Sequence, residues 1–149
     1  MYDKYKSNVV SIIATFLFAA LVITACCLLP LFVKMYLGDA YGTAGGIRTA
    51  LFVCLYVSGA SSLVISYLLL RVLFNIRKNV VFDKKNVRYA RYISWCCFVE
   101  CAAFFALGFF IPFSFAVSFA MAFIGLIVRV AKNLLNEATD IKEENDLTV

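Results

Sequence analysis

Apolar residues dominate this chain in four long runs, which short polar intervals separate. The runs cover residues 9–33, 49–70, 93–110 and 113–131. Each is long enough to cross a hydrocarbon core of roughly 30 Å as a helix, the longest with some tilt. Because a backbone in lipid must satisfy its own hydrogen bonds, the pattern predicts an all-α integral membrane protein. We expect one domain, a four-helix bundle of two transmembrane hairpins, with a cytoplasmic helical tail over 132–149.

Composition supports a membrane protein. The apolar fraction is 64% and the mean hydropathy is +0.91, whereas soluble domains average nearer half apolar. A soluble core of 149 residues has too little interior to hide this much apolar surface, so the bilayer is the expected solvent. The sequence therefore predicts a multi-pass protein of the cell (plasma) membrane.

Cysteine and histidine usage argues against catalysis. All six cysteines lie within apolar runs, where a free thiol behaves as a small hydrophobic side chain. The chain has no histidine, and so lacks the commonest transition-metal ligand and the usual proton shuttle near neutral pH. Neighbouring cysteines such as Cys96 and Cys97 bridge only with strain. We expect no cofactor, no metal site and no enzymatic activity.

The first apolar run permits a second interpretation. The segment Ile23-Thr24-Ala25-Cys26 resembles the signal box of a lipoprotein, where cleavage leaves a lipidated cysteine at the new N-terminus. However, the residues after Cys26 stay apolar up to Val33, and Asp3 dilutes the positive charge expected at the start of a signal peptide. We therefore expect the first run to be a membrane helix.

Basic residues set the topology. The interval Arg71–Arg91 carries seven of the 14 Lys and Arg residues against a single acid, Asp83, while the first loop carries only Lys34 and Arg48. Loops rich in Lys and Arg face the cytoplasm, so this interval is cytoplasmic, and four spans place both termini there as well. Within the interval, Asp83 is expected to cap a helix that begins at Lys84.

Small and charged residues inside the spans predict contacts between helices. Ser58 and Ser62 stand four residues apart on one face of the second span, a spacing typical of close helix packing within a bundle. Glu100 is the only acid in a predicted span, and ionisable residues at that depth suggest a functional site. Two structural interpretations stay open: an intramembrane ion pair of Glu100 with Arg129, or a protonated Glu100 bonded to a neighbouring hydroxyl or carbonyl.

Two segments carry a resemblance to a known family. They are Phe82–Trp95, with Asn86 ahead of basic residues at the entry of the third span, and Leu134–Val149, with its terminal Asp-Leu-Thr-Val. Both resemble the bacterial four-span membrane proteins known as domain of unknown function 2975. That family is described beside small helix-turn-helix regulators, so the resemblance implies a cytosolic transcriptional regulator as partner. The candidate docking residues are Asn86, Arg88, Arg91, Asp146, Leu147, Thr148 and Val149.

The expected function is therefore that of a non-enzymatic regulatory or interaction protein in the membrane. Its partners would be the lipid bilayer and a cytosolic DNA-binding regulator, with no direct contact to nucleic acid, and a homo-oligomer stays open. The alternative is a small proton-coupled transporter that uses Glu100, as the four-span multidrug transporters use a single membrane carboxylate. The candidate docking site includes a free, extended C-terminal end that can pair with a partner strand. An amphipathic helix over 130–141 is the other docking element, and a helix lying on lipid is the alternative for it.

Overall fold

Four long helices make up the structure, a computed structural model that describes residues 2–37, 45–78 and 80–148. They are α1 (Tyr2–Leu37), α2 (Gly45–Arg77), α3 (Lys84–Gly108) and α4 (Phe113–Thr148). All four are long and apolar enough to cross a membrane, and no strand occurs within the described ranges. The prediction of an all-α, four-span membrane protein is confirmed.

The helices extend well beyond the predicted spans. With 36, 33 and 36 residues, α1, α2 and α4 are each about 50 Å long, against roughly 30 Å for a hydrocarbon core. Consequently the charged interval is mostly helical: α2 continues to Arg77, and α3 begins at Lys84. The Asp83 carboxylate accepts a hydrogen bond from the backbone N–H of Lys85 at 2.8 Å, which confirms the predicted helix cap.

Packing follows chain order. Helix backbones approach one another directly only between neighbours in sequence: α1 on α2, α2 on α3, and α3 on α4. Among the described residues α1 and α4 do not meet. The four antiparallel helices of the predicted bundle therefore pack as a row in which α2 and α3 are the inner members.

Helix α3 uses two stripes with a seven-residue spacing to contact both neighbours. One stripe faces α2 and the other faces α4, and each interface is fixed by polar or small residues described below. A seven-residue repeat is typical of helices that cross at a shallow, left-handed angle. The stripe facing α2 consists of Asn86, Ile93, Glu100 and Leu107, and the stripe facing α4 of Ser94, Cys101 and Gly108.

Apolar packing concentrates at two levels of the row. Toward the outer end, Leu29 and Val33 of α1 pack with Leu51 of α2 and Leu107 of α3. Toward the cytoplasm, a second cluster joins Leu68 of α2 to Ile93 and Cys97 of α3. Most other large apolar side chains are exposed to the lipid, as expected when the bilayer is the solvent.

Three arginines share one level, which the distribution of basic residues predicts to be the cytoplasmic edge of the membrane. Hydrogen bonds join Ser62 to Glu100 and Ser94 to Gly125, and counting along the antiparallel helices from these contacts places Arg71, Arg91 and Arg129 at one level. From Arg91 to the end of α3 at Gly108 are 17 residues, or about 26 Å. The tight turn after Gly108 supplies the remainder of a core roughly 30 Å thick.

Candidate functional site

Glu100 lies near the middle of the membrane and is bonded to a hydroxyl of the neighbouring helix. Its side chain is only 3% exposed, and its Oε1 accepts a hydrogen bond from the Ser62 hydroxyl at 2.9 Å. Nine residues separate Glu100 from Arg91, so the carboxyl group lies about 14 Å inside the cytoplasmic edge. An acidic group at such depth is costly unless it is bonded, and Ser62 supplies one bond.

The structure does not bring Glu100 and Arg129 together. The contacts between α3 and α4 pair Ser94 with Gly125 and Cys101 with Ser118, so Glu100 lies level with residue 119. Arg129 is ten residues farther along α4, about 15 Å closer to the cytoplasm, and is exposed. Side chains tilt toward the N-terminus of their own helix, which would bring these two side chains closer, but the tilt is much smaller than this separation. The ion pair is thus replaced by the other expected partner, a neighbouring hydroxyl.

The run of small residues in α2 contacts helices on both sides. Gly59 lies against α1, so closely that a Cβ added there would stand 2.5 Å from Cys26 Sγ. Ser62 faces α3 and bonds to Glu100, and the Ser66 hydroxyl one turn later donates to the Ser62 carbonyl at 2.8 Å. The predicted role of this run, close packing within the chain, is confirmed.

Asn86 holds the cytoplasmic loop between α2 and α3. Its Nδ2 donates to the carbonyl oxygens of Val80 at 2.8 Å and Val81 at 2.9 Å. Its Oδ1 accepts from Asn75 Nδ2 of α2 at 2.7 Å. The residue is only 1% exposed. The proposal that Asn86 docks a partner is therefore wrong in this conformation, because the amide is buried and its hydrogen bonds lie within the chain.

The remaining docking candidates divide into two groups. Arg88 and Arg91 are exposed on α3, as a docking role requires. At the C-terminal end, Leu147 is exposed, and α4 stays helical through Thr148, so this end is not the extended strand that the sequence suggested. Asp146 and Thr148 lie in that last turn, and Val149 lies outside the described residues.

An ion pair fastens the cytoplasmic part of α4 to α3. Lys84 Nζ and Glu143 Oε2 are 2.6 Å apart, with both side chains more than half exposed. Near the same level of α4, Thr139 is buried and its hydroxyl donates to the Leu135 carbonyl at 2.7 Å. An exposed pair contributes little stability by itself, but together with the buried Thr139 it shows that α4 stays on α3 after leaving the membrane.

Comparison with known proteins identifies the family of the chain. Residues 36–149 match the family described as protein of unknown function (DUF2975). The chain belongs to this family. The match includes α2, α3 and α4, and so all the contacts of Glu100 and Asn86 described above.

A similar protein can be aligned over nearly the whole chain. It is the uncharacterized membrane protein YoaS of Bacillus subtilis (strain 168), which is 29% identical over 151 residues. The alignment covers 92% of this chain and 94% of YoaS. No solved structure matches the chain significantly. The DUF2975 member is thus a multi-pass integral membrane protein, as its four spanning helices indicate.

Sequence reasoning missed the polar residues that set the helix register. Ser94 donates to the Gly125 carbonyl at 3.0 Å, and Ser118 donates to the Cys101 carbonyl at 2.9 Å. Both serines are buried between α3 and α4. A signal for them exists in the sequence, since Ser94, Cys101 and Gly108 are small residues spaced by seven, and small residues mark close helix interfaces in membranes.

Proposed function

We propose that this DUF2975 protein is a non-enzymatic membrane anchor that binds a cytosolic helix-turn-helix transcriptional regulator through the cytoplasmic part of α4. The observation that carries the proposal is an exposed apolar stripe on that part of the helix, formed by Val130, Leu134 and Ile141. We refer to these three residues as the α4 stripe. It faces away from the side of α4 that packs on α3.

Helical periodicity separates the two sides of α4. Leu134 and Ile141 are 63% and 55% exposed and stand seven residues apart, two turns along one face. Leu135 and Thr139 stand on the opposite side and are shielded, Thr139 being buried. The stripe is therefore free to contact another protein without disturbing the attachment of α4 to α3.

The far end of the stripe lies too far from the hydrocarbon core for lipid to cover it. Ile141 is twelve residues beyond Arg129, which is about 18 Å along the helix. The headgroup region adds only about 5–8 Å on each side of the hydrocarbon core. A helix that lies on the lipid surface would have to leave α3, against the Lys84–Glu143 pair and the buried Thr139. An apolar groove of a cytosolic protein is the occupant that fits.

The nature of the partner rests on the family resemblance, which implies a helix-turn-helix regulator beside these membrane proteins. Binding such a regulator at the membrane would hold it away from its promoter until a signal releases it.

Replacing Leu134 and Ile141 together by serine tests the anchor function. We expect intact protein, crosslinked in membranes and purified, to bring down one cytosolic DNA-binding regulator, and the double variant to bring down at least ten-fold less. Loss of two buried apolar anchors at an interface accounts for that size of effect. The measurement is quantitative mass spectrometry of the crosslinked partners.

The control is Asn133→Ser, because Asn133 is exposed on the same part of α4, lies off the stripe and is not a docking candidate. It should retain the regulator. An identical set of partners for all three proteins, or a set without any DNA-binding protein, would contradict the proposed function.

A second candidate function is proton-coupled transport, and the observation in its favour is the bonded carboxyl group at mid-membrane. A Glu100→Gln variant separates this function from a structural role. Glutamine retains an oxygen that accepts from Ser62, so we expect thermal stability to change little. If Glu100 carries protons, the variant loses proton-linked efflux of cationic drugs from cells. Equal drug resistance with and without the variant would remove this candidate.

A further inference from the structure

A basic cleft opens between α3 and α4 at the cytoplasmic edge of the membrane. Arg91, Ser94 and Trp95 of α3 and Arg129 and Lys132 of α4 line a cavity of about 200 Å³. We refer to it as the α3–α4 cleft. No acidic side chain lines it, so its charge is +3 from two separate helices.

The three cations are not neutralised within the protein. Among the residues that the structure describes, Arg91, Arg129 and Lys132 have neither a hydrogen bond nor an ion pair from their side chains. The acids nearest in sequence, Glu137 and Asp140, line a separate groove farther along α4, which Arg91 and Lys132 also border. Like charges that converge from two helices repel one another, and an anion between them removes that repulsion.

Position and shape point to the phosphate of a lipid. Arg91 and Arg129 lie at the level where the hydrocarbon core ends, which is the level of the headgroups. Guanidinium groups present paired donors that match phosphate oxygens. Basic pockets between membrane helices on the cytoplasmic side are typical binding sites for anionic headgroups.

The wall of the cleft continues into the membrane as apolar surface. Trp95 is 57% exposed, and its ring stands edge-on to Phe98, with 6.4 Å between centroids. Val99, one turn farther into the bilayer, and Leu126 of α4 are also exposed. Acyl chains that hang from a phosphate in the cleft would lie along these side chains.

We propose that the α3–α4 cleft is a specific site for the phosphate of an anionic phospholipid, held by Arg91, Arg129 and Lys132 with Trp95 against the glycerol and upper acyl chains. This site is independent of the α4 stripe and of the anchor function proposed above. A soluble phosphate shares the same chemistry, but the headgroup level and the apolar wall favour the lipid.

Trp95 is the single tryptophan of the chain and therefore reports on the site directly. The experiment compares its quenching by brominated phosphatidylglycerol and by brominated phosphatidylcholine in vesicles that contain the full-length protein. We expect quenching by the anionic lipid to reach half its maximum at an at least five-fold lower mole fraction. A double variant, Arg91→Gln with Arg129→Gln, should lose this preference, because each cation near the surface accounts for about a five-fold effect.

The matched control removes the same charge elsewhere on the cytoplasmic part of α3. Lys85 and Arg88 are exposed and do not line the cleft, so Lys85→Gln with Arg88→Gln should keep the lipid preference. An equal loss in both double variants would show a diffuse attraction to the surface and overturn the site. Relief of quenching by inorganic phosphate at constant ionic strength would assign the cleft to a soluble phosphate and overturn the lipid assignment.

Discussion

Replacement of Asn86 by alanine is expected to lower the free energy of unfolding by about 3 kcal/mol, from the loss of three hydrogen bonds at about 1 kcal/mol each. The amide of Asn86 bonds to Val80, Val81 and Asn75 and is almost fully buried. Alanine is compatible with the helix but leaves two loop carbonyls and the Asn75 amide without these partners. The loop that joins the two hairpins should therefore loosen together with the fold.

Two measurements check this prediction. Denaturation of the purified protein in detergent, followed by Trp95 fluorescence, gives the stability. Limited trypsin digestion gives the loop conformation, because Arg77, Lys78 and Lys84 flank the segment that Asn86 holds. The variant should be cut there sooner than the native protein.

The control for Asn86 is Asn133→Ala. Asn133 is an exposed asparagine of α4, and alanine has the higher helix propensity, so its stability should change by no more than about 0.5 kcal/mol. Asn75→Ala removes one of the three bonds and should lie between the two. If Asn86→Ala unfolded like the control, the loop bonds would not contribute to the stability of the native state.

Replacement of Gly125 by leucine should separate α3 from α4 and cost about 3 kcal/mol, from overpacking of a close interface together with the loss of one hydrogen bond. A Cβ added at Gly125 would stand 3.2 Å from the Cβ of Cys97 and 3.5 Å from the Phe98 ring. The Cys97 Cβ is fixed to the backbone of α3 and cannot rotate away. The larger leucine side chain would also break the bond from Ser94 to the Gly125 carbonyl.

The same denaturation assay measures this effect, and Ala120→Leu is its matched control. Ala120 is exposed on the same helix, so leucine there enters lipid and should leave stability within about 0.5 kcal/mol. Because Trp95 follows Ser94 in α3, its emission should shift in the Gly125 variant and not in the control. Equal stability of the two variants would mean that the close approach at Gly125 does not hold the helices together.

Hydropathy and charge predicted the parts of the fold that the bilayer itself imposes. Four apolar runs predicted four helices, and Asp83 was identified as a helix cap. Amphipathic spacing predicted that α4 continues past the membrane. The end of α2 was harder to predict, because this helix continues to Arg77 in water, where hydropathy no longer distinguishes a helix from a loop. Because its first residues are charged, the interval between the two spans was expected to contain a longer loop than the one between Arg77 and Lys84.

The packing of the helices on one another could not be predicted from hydropathy, because an apolar side chain is equally suited to lipid and to another helix. This is why the sequence could not decide between Arg129 and a neighbouring hydroxyl as the partner of Glu100, which is Ser62. Opposite charge suggested the pair, but small residues spaced by seven set the register of α3 on α4 and keep the two side chains apart. The burial of Asn86 could not be predicted either, because its partners are two backbone carbonyls and another asparagine, which no sequence pattern marks.

The two stripes of α3 limit which insertions and deletions this helix tolerates. Inserting a single residue in the middle of this helix would turn everything beyond it by about 100°, which would misalign the contacts to α2 and to α4 at once. An insertion of seven residues keeps both stripes in phase and costs mainly a mismatch with the bilayer thickness. Length variation in α1 meets a weaker constraint, because its backbone packs on α2 and it reaches α3 through the cluster around Leu107. Natural insertions and deletions in proteins of this architecture should therefore collect in the first helix and its loop, and avoid the third.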